Sequence, residues 1–551
     1  MILKQKKTTS IPLKLFLKIS KFFNKIISFL GYIFLILIIF SLIFYYSSTL
    51  NKVYDPKQIF LKINDKILAK YIGFDFRLSK DYLDIIFLNL TKKIRPNKLE
   101  NIYIKINQKS ILGLEMQREI KKKSGGPIPD ELKIWYPANI NFRNNNYKVK
   151  IKLKGNRHLH WYNPRETSYK IDIRGDKYIL NMEEFSFQKP ITKNYTYEFL
   201  FHKLLGHVGL THIDYRFVNL YFNDQNLGIF AMEEAFSNQL LLKQKKSLGP
   251  VFSIKDEYGE KFPNIFFELY SKDYWLEKNP ELINNLFIIL NNIKLKNKDI
   301  NNYFDLDKWA KYFAIIDLSG AYHGALLDSV KLYFNTDANL FEPIGYDLHK
   351  GAGEFNNFIM MDFLDERIKP ECSWICDHRQ LFEFFLKNNN GDLNDEFIEK
   401  YSFYLNKYSE DNFLNNFLEE NSNTLTKYNS AIYSDNSKTD KIGWKGLGYF
   451  VYDKDYLKKR KELIRSRITS INLKNALISF DGEHIFFENF FMSKFPIKGK
   501  LLKCDNADEK TFFFAGNMKI KQTNDCEYIR LTDFNNNYLD IKLKNRPEIN
   551  Y

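Results

Sequence analysis

The chain has 551 residues, 44% hydrophobic and 17% aromatic, enough apolar material for two or three domains and too much for a disordered polymer. Its formal charge is +16, but seven lysines, from Lys4 to Lys25, precede residue 26 with no acid among them. The nine excess charges that remain form no long Lys/Arg block, which argues against a nucleic-acid partner and for phosphates or anionic envelope polymers.

In chain order, residues 1–25 form a basic N-terminus and 26–46 an apolar run with no charge between Lys25 and Lys52. At ~1.5 Å per residue this run spans the ~30 Å core of a bilayer. A cleavable signal has a shorter apolar core ending in small residues, whereas Phe44, Tyr45 and Tyr46 close this one. The pattern predicts an uncleaved single-pass anchor in the cell membrane, with the lysine-rich end cytoplasmic and the bulk of the chain extracytoplasmic.

Residues 47–140 read as an α/β segment. Alternation over 101–107 predicts a strand, and 111–123 a helix ended by Gly125, Gly126 and Pro127. A core over 141–475 follows. Its first part is β-rich, with strands over 147–155, 168–175 and 183–188, and lysines alternate with Val149, Ile151 and Leu153 on one wet face. Helical spacing covers 194–210, and 216–234 reads as a buried hairpin turning at 223–226. Residues 265–300 read as mostly helical, 305–318 as a helix, 331–347 as a second hairpin, and 393–430 and 453–475 as amphipathic helices. From 476 to 551 short aromatic-rich strands predict a small β-rich domain. The four cysteines (Cys372, Cys376, Cys504, Cys526) lack zinc-knuckle spacing, so disulfides or buried thiols are expected before a metal. The fold class expected is α+β, a mixed or antiparallel sheet with packed helices.

Several polar residues sit in or at the ends of core strands: Lys154, Lys170, Glu233, Glu234, Asp328, Asp347 and His349. Phosphoryl transfer needs such types: a lysine on nucleotide phosphates, a glutamate to orient it, one acid to take the acceptor's proton and another to hold metal. Paired carboxylates would also serve a glycoside hydrolase, without further support from their context. His158 and His160 have ligand-like spacing but no third partner.

The order LKGN (153–156), SYKIDI (168–173), NYTYEFLFHKLLGHVGL (194–210), RFVNLYFNDQNLGIFAMEE (216–234) and KLYFN…FEPIGYDLHKGAG (331–353) resembles the spore-coat-protein-H (CotH) kinase family. The resemblance implies an atypical kinase-like core using ATP with Mg²⁺ or Mn²⁺ to phosphorylate a protein or envelope component. It implies Lys170 as phosphate lysine, Glu234 as its partner or an adenine-side contact, Lys154 as a second phosphate contact, Asp328 as base, Asp347 as metal ligand or catalytic acid, and His349 at the metal. The chain departs from the family phrase at Tyr346, where a tryptophan is usual, at His349, where a second acid is usual, and at Lys331, near an expected asparagine. Those departures imply an alternative, a degenerate pseudokinase serving as an envelope scaffold.

Overall fold

The structure, a computed structural model, describes residues 99–125, 132–255, 265–295, 299–348, 359–364, 375–434, 454–469 and 473; in the C-terminal region it describes 476–480, 484–489, 497–504, 511–514, 518–521, 526–533 and 537–543. The anchor expected over 26–46 and the candidate His349 lie outside these residues. Among the described residues no helix is long and apolar enough to cross a membrane. All of them belong to one unit of the chain, 84–443 with 449–551.

Strand β1 (Asn101–Lys105) leads to helix α1 (Gln108–Ser124), which Asn107 caps by accepting from Ser110 N and Gly125 ends in a left-handed conformation. Strands β2 (Tyr136–Phe142) and β3 (Asn145–Leu153) form a hairpin whose turn, Arg143 and Asn144, has φ of 49° and 64°. Strands β4 (Tyr169–Ile173) and β5 (Glu184–Gln188) follow, then α2 (Tyr197–His207). The buried hairpin expected over 216–234 is β6 (Tyr215–Phe222) and β7 (Gln225–Glu234), again with two positive-φ residues, Asn223 and Asp224, whose short polar side chains tolerate that conformation.

The sheet expected in this region is closed. Seven strands run in the order β1-β2-β3-β4-β5-β7-β6, and β1 completes the barrel by pairing in parallel with β6, Ile102 beside Leu220. Strand alternation explains the filling. Ile104, Ile140, Ile151, Ile171, Phe187 and Phe230 turn inward with essentially no exposure, while Lys148, Lys150 and Lys152 take the other face of β3.

The outer wall of β6 and β7 is apolar too. Phe217, Ile229 and Ala231 join the core built on α2 and the following elements. These are α3 (Asn238–Lys243), strands β8 (Val251–Lys255) and β9 (Phe266–Leu269), α4 (Lys272–Lys278), α5 (Pro280–Lys294), α6 (Leu306–Ser319), β10 (Lys331–Asn335) and β11 (Leu340–Ile344). Strand β9 stands where helix was expected, because Phe266 to Leu269 pair with β8 at the edge of an antiparallel sheet ordered β11-β10-β8-β9. Helix α6, capped by Asp305 and ended by Gly320 at φ 63°, is the centre of the second half. Trp309 Nε1 donates to Phe341 O at 3.0 Å, fastening α6 to the sheet.

Helices α7 (Ile375–Leu386), α8 (Asp395–Tyr408), α9 (Asp411–Ser434) and α10 (Lys454–Thr469) surround it. A buried network ties them. Asp317 on α6 accepts from Tyr322, Met360 N and Tyr401, and its carbonyl accepts from Arg460 Nε and Nη2 at 2.9 and 2.7 Å. Seven C-terminal strands, β12 (Ala476–Phe480) to β18 (Tyr538–Lys542), form a three-stranded and a four-stranded sheet. A disulfide joins Cys504 and Cys526 across the paired β14 (Ile497–Cys504) and β17 (Cys526–Thr532). Cys372 lies outside the described residues.

Candidate functional site

The polar centre lies where the end of β3, the end of β7, the start of α2 and the exit of β11 converge. After Leu153 the chain enters a tightly bonded loop. Lys154 N donates to Ser168 O at 2.9 Å, Ser168 N to His160 O at 2.7 Å, and Trp161 Nε1 to Asn156 O at 3.1 Å. Gly155 is required twice over: its φ is +81°, and a Cβ there would lie 2.4 Å from the His160 ring. His160 is buried with Nδ1 3.0 Å from Ser168 Oγ, and burial, with Lys154 and Lys193 nearby, pushes its pKa down to about 3. The His158 ring lies 4.1 Å from that of Tyr162, so the two histidines face different partners.

The loop aims the Lys154 ammonium at the Glu233 carboxylate, and the two form a largely buried ion pair. Gln188 Nε2 donates to the other Glu233 oxygen at 2.7 Å. Burial alone would raise the Glu233 carboxyl, but Lys154 and Lys193 reverse this and hold it at about 2. Glu233 is therefore a fixed anion and Lys154 its oriented counter-cation.

Asp347 follows β11. Its φ of 56° is left-handed, which Asp accepts more readily than most residues. Gly345 before it leaves no room for a Cβ, which would come within 2.7 Å of Leu205. One Asp347 oxygen carries the ammonium of Lys193, and the other lies 3.3 Å from His323 Nδ1. Arg157 Nη2, which can only donate, is 3.0 Å from His323 Nε2. That bond fixes the tautomer: Nδ1 carries the hydrogen and donates to Asp347 O at 3.0 Å. The Tyr346 ring is ringed by three ammonium groups, Lys193 at 4.7 Å, Lys331 at 5.1 Å and Lys154 at 5.9 Å from its centroid. Lys331 is buried, and its ammonium donates to the carbonyls of Asp328 and Ser329. Burial pulls its pKa down to about 7, against the pull of Asp328.

Of the residues singled out in the sequence, Lys154, Glu233 and Asp347 meet in this centre, joined through Lys193 and Tyr346. The Asp328 carboxyl is exposed at its edge. Lys170 occupies the same cross-strand row as Ser186 and Glu233, but its ammonium pairs with Glu184 on the outer barrel wall. Glu234 belongs to a separate pair with Lys243 and accepts from Asp214 N at 2.8 Å; burial pushes its pKa up to about 7. Strand parity carries the distinction. Glu234 shares its face with Met232 and Phe230 of the barrel interior, and Glu233 shares its face with Ala231 and Ile229. Lys193 carries no motif at all and was not anticipated; nor was Glu198, fully buried behind it. Both Glu198 oxygens lie outside hydrogen-bond geometry, with His202 Nε2 at 3.4 Å.

The profile of the CotH kinase protein family matches residues 151–467, more than half of the chain. The chain belongs to the CotH kinase family. The match starts in β3 and ends in α10, so it takes in Lys154, Lys193, Glu233, Asp347 and the whole of the second half. No curated protein matches the chain.

Membership raises the question of a nucleotide and a divalent metal, and the residues answer the two differently. Lys154 at 15% side-chain exposure and the exposed Arg157 offer donors of the type that bind phosphate oxygens, backed by the buried Lys193 and Lys331. The metal fits poorly. Asp347 is the one carboxylate at the cleft's acid phrase among the described residues, and both its oxygens face cationic or N–H groups of the protein. Among those residues no group of three or more His, Cys, Asp or Glu side chains is arranged to hold a metal.

Proposed function

We propose that the chain is a membrane-anchored, extracytoplasmic phosphotransferase that transfers the terminal phosphoryl group of ATP to a protein or cell-envelope component. The carrying observation is the buried Lys154–Glu233 pair set beside Asp347 in a CotH kinase family member. Glu233 holds the Lys154 ammonium in place, so that it meets phosphate oxygens without reorganising. Asp328, exposed before β10 on a segment held by Lys331, would take the proton of the acceptor hydroxyl as that oxygen bonds to phosphorus and the bond to the ADP oxygen breaks. Residues 26–46 would hold this machinery at the membrane.

The second reading, a pseudokinase scaffold, is favoured by one contact: Lys193 already occupies Asp347. The full chain incubated with γ-labelled ATP and an envelope extract separates them. Transfer of label that disappears in Asp347→Ala supports the phosphotransferase. ATP binding without transfer supports the scaffold.

A further inference from the structure

We infer that the ammonium of Lys193 takes the place of a divalent cation at Asp347, so that this cleft binds the nucleotide's phosphates without a metal. The inference rests on the nucleotide reading above and deepens it.

A metal in a phosphate site spreads positive charge over adjacent oxygens and is itself held by a carboxylate. Here Lys193 meets the second requirement directly, with its ammonium on one Asp347 oxygen while His323 covers the other. The lysine is built in. It ends a 3₁₀ turn, Pro190–Lys193, that starts with proline and is capped by Asn194 at φ 52°. Only 5% of its side chain is exposed, and its ammonium rests 4.7 Å from the Tyr346 centroid. Glu198, fully buried beside it and paired with His202 Nε2 at 3.4 Å, and Glu233 both add negative charge around this ammonium.

The remaining charge of a metal would come from Lys154 and Arg157, both at the mouth of the cleft. These donors supply directional N–H groups to several phosphate oxygens, which is the other task of the metal. A divalent ion entering at Asp347 would have to break the Lys193 ion pair or sit beside its positive charge, and both are unfavourable in a buried site.

The test is ATP binding to the full chain by equilibrium dialysis and by thermal midpoint, in EDTA and in Mg²⁺. The expected result is an affinity in EDTA within about twofold of that in Mg²⁺, with equal upward shifts. In Lys193→Met, which takes the ammonium off Asp347, binding in EDTA should fall at least tenfold and be recovered by Mg²⁺. Lys193→Arg should keep the metal-free binding, which guards against a fold defect in the first variant. Wild-type binding that appears only with Mg²⁺ overturns this inference and leaves the nucleotide reading standing. No binding under either condition overturns both.

Discussion

Two buried charge clusters in this molecule are made from similar groups and differ in how they are closed. Around Asp317 both carboxylate oxygens and the carbonyl are taken by Tyr322, Tyr401, Met360 N and Arg460, all buried. Around Tyr346, three lysines, Glu233 and Asp347 meet with Asp347 at 24% side-chain exposure, Arg157 at the surface and both Glu198 oxygens outside hydrogen bonds. A closed network fastens helices. An open one leaves part of Asp347 and the Arg157 guanidinium in reach of solvent.

The comparison can be broken by substitution. Arg460→Met leaves Asp317 buried without its cation, and a loss of about 3–5 kcal/mol in unfolding free energy is expected from denaturant titration. If the loss is below about 1 kcal/mol, the Asp317 cluster is not the fastening described. Lys154→Ala acts on the open cluster. It should remove ATP binding while costing only about 1–3 kcal/mol of stability, because the Glu233 carboxylate stays bonded to Gln188. A Lys154→Ala variant that loses more stability than Arg460→Met yet still binds ATP would reverse the roles of the two clusters.

Lys331 sharpens the same contrast through pH. Its pKa is lowered to about 7 in the fold from an ordinary 10.5, so between these values the unfolded chain holds a proton that the folded chain has released. Stability contributed by this group therefore rises with pH above 7, by about 1 kcal/mol per unit, and Lys331→Met should flatten that part of the stability profile. The smallest effect is expected at Lys170, whose half-exposed pair with Glu184 is worth at most about 1 kcal/mol. Lys170→Ala should leave both melting and ATP binding near wild type.

The contrast between Lys154 and Lys170 also marks what was legible in the sequence. Alternation revealed β3, β4, the β6–β7 hairpin and the β10–β11 hairpin, because period-two burial is written locally. It did not reveal closure of the barrel, which depends on β1 meeting β6 more than a hundred residues away. Both lysines lie on the outer parity of their strands. Only the loop after Leu153, turned by Gly155, decides which one reaches Glu233. The Glu233 and Glu234 assignment was within reach of parity alone, since Met232 and Phe230 mark the interior face. Lys193 was out of reach: its partner is 154 residues distant and it ends a single short 3₁₀ turn. The family's order of motifs located the region, and the ion pairs inside it are set by residues far apart in the sequence.

The most direct measurement is ATP affinity of the full chain beside Lys154→Ala and Lys170→Ala, each checked for folding by its thermal midpoint. Binding that survives in Lys170→Ala and is lost in a folded Lys154→Ala is the predicted result. Binding lost in Lys170→Ala and retained in Lys154→Ala would contradict the placement of the nucleotide at the Lys154–Glu233 pair.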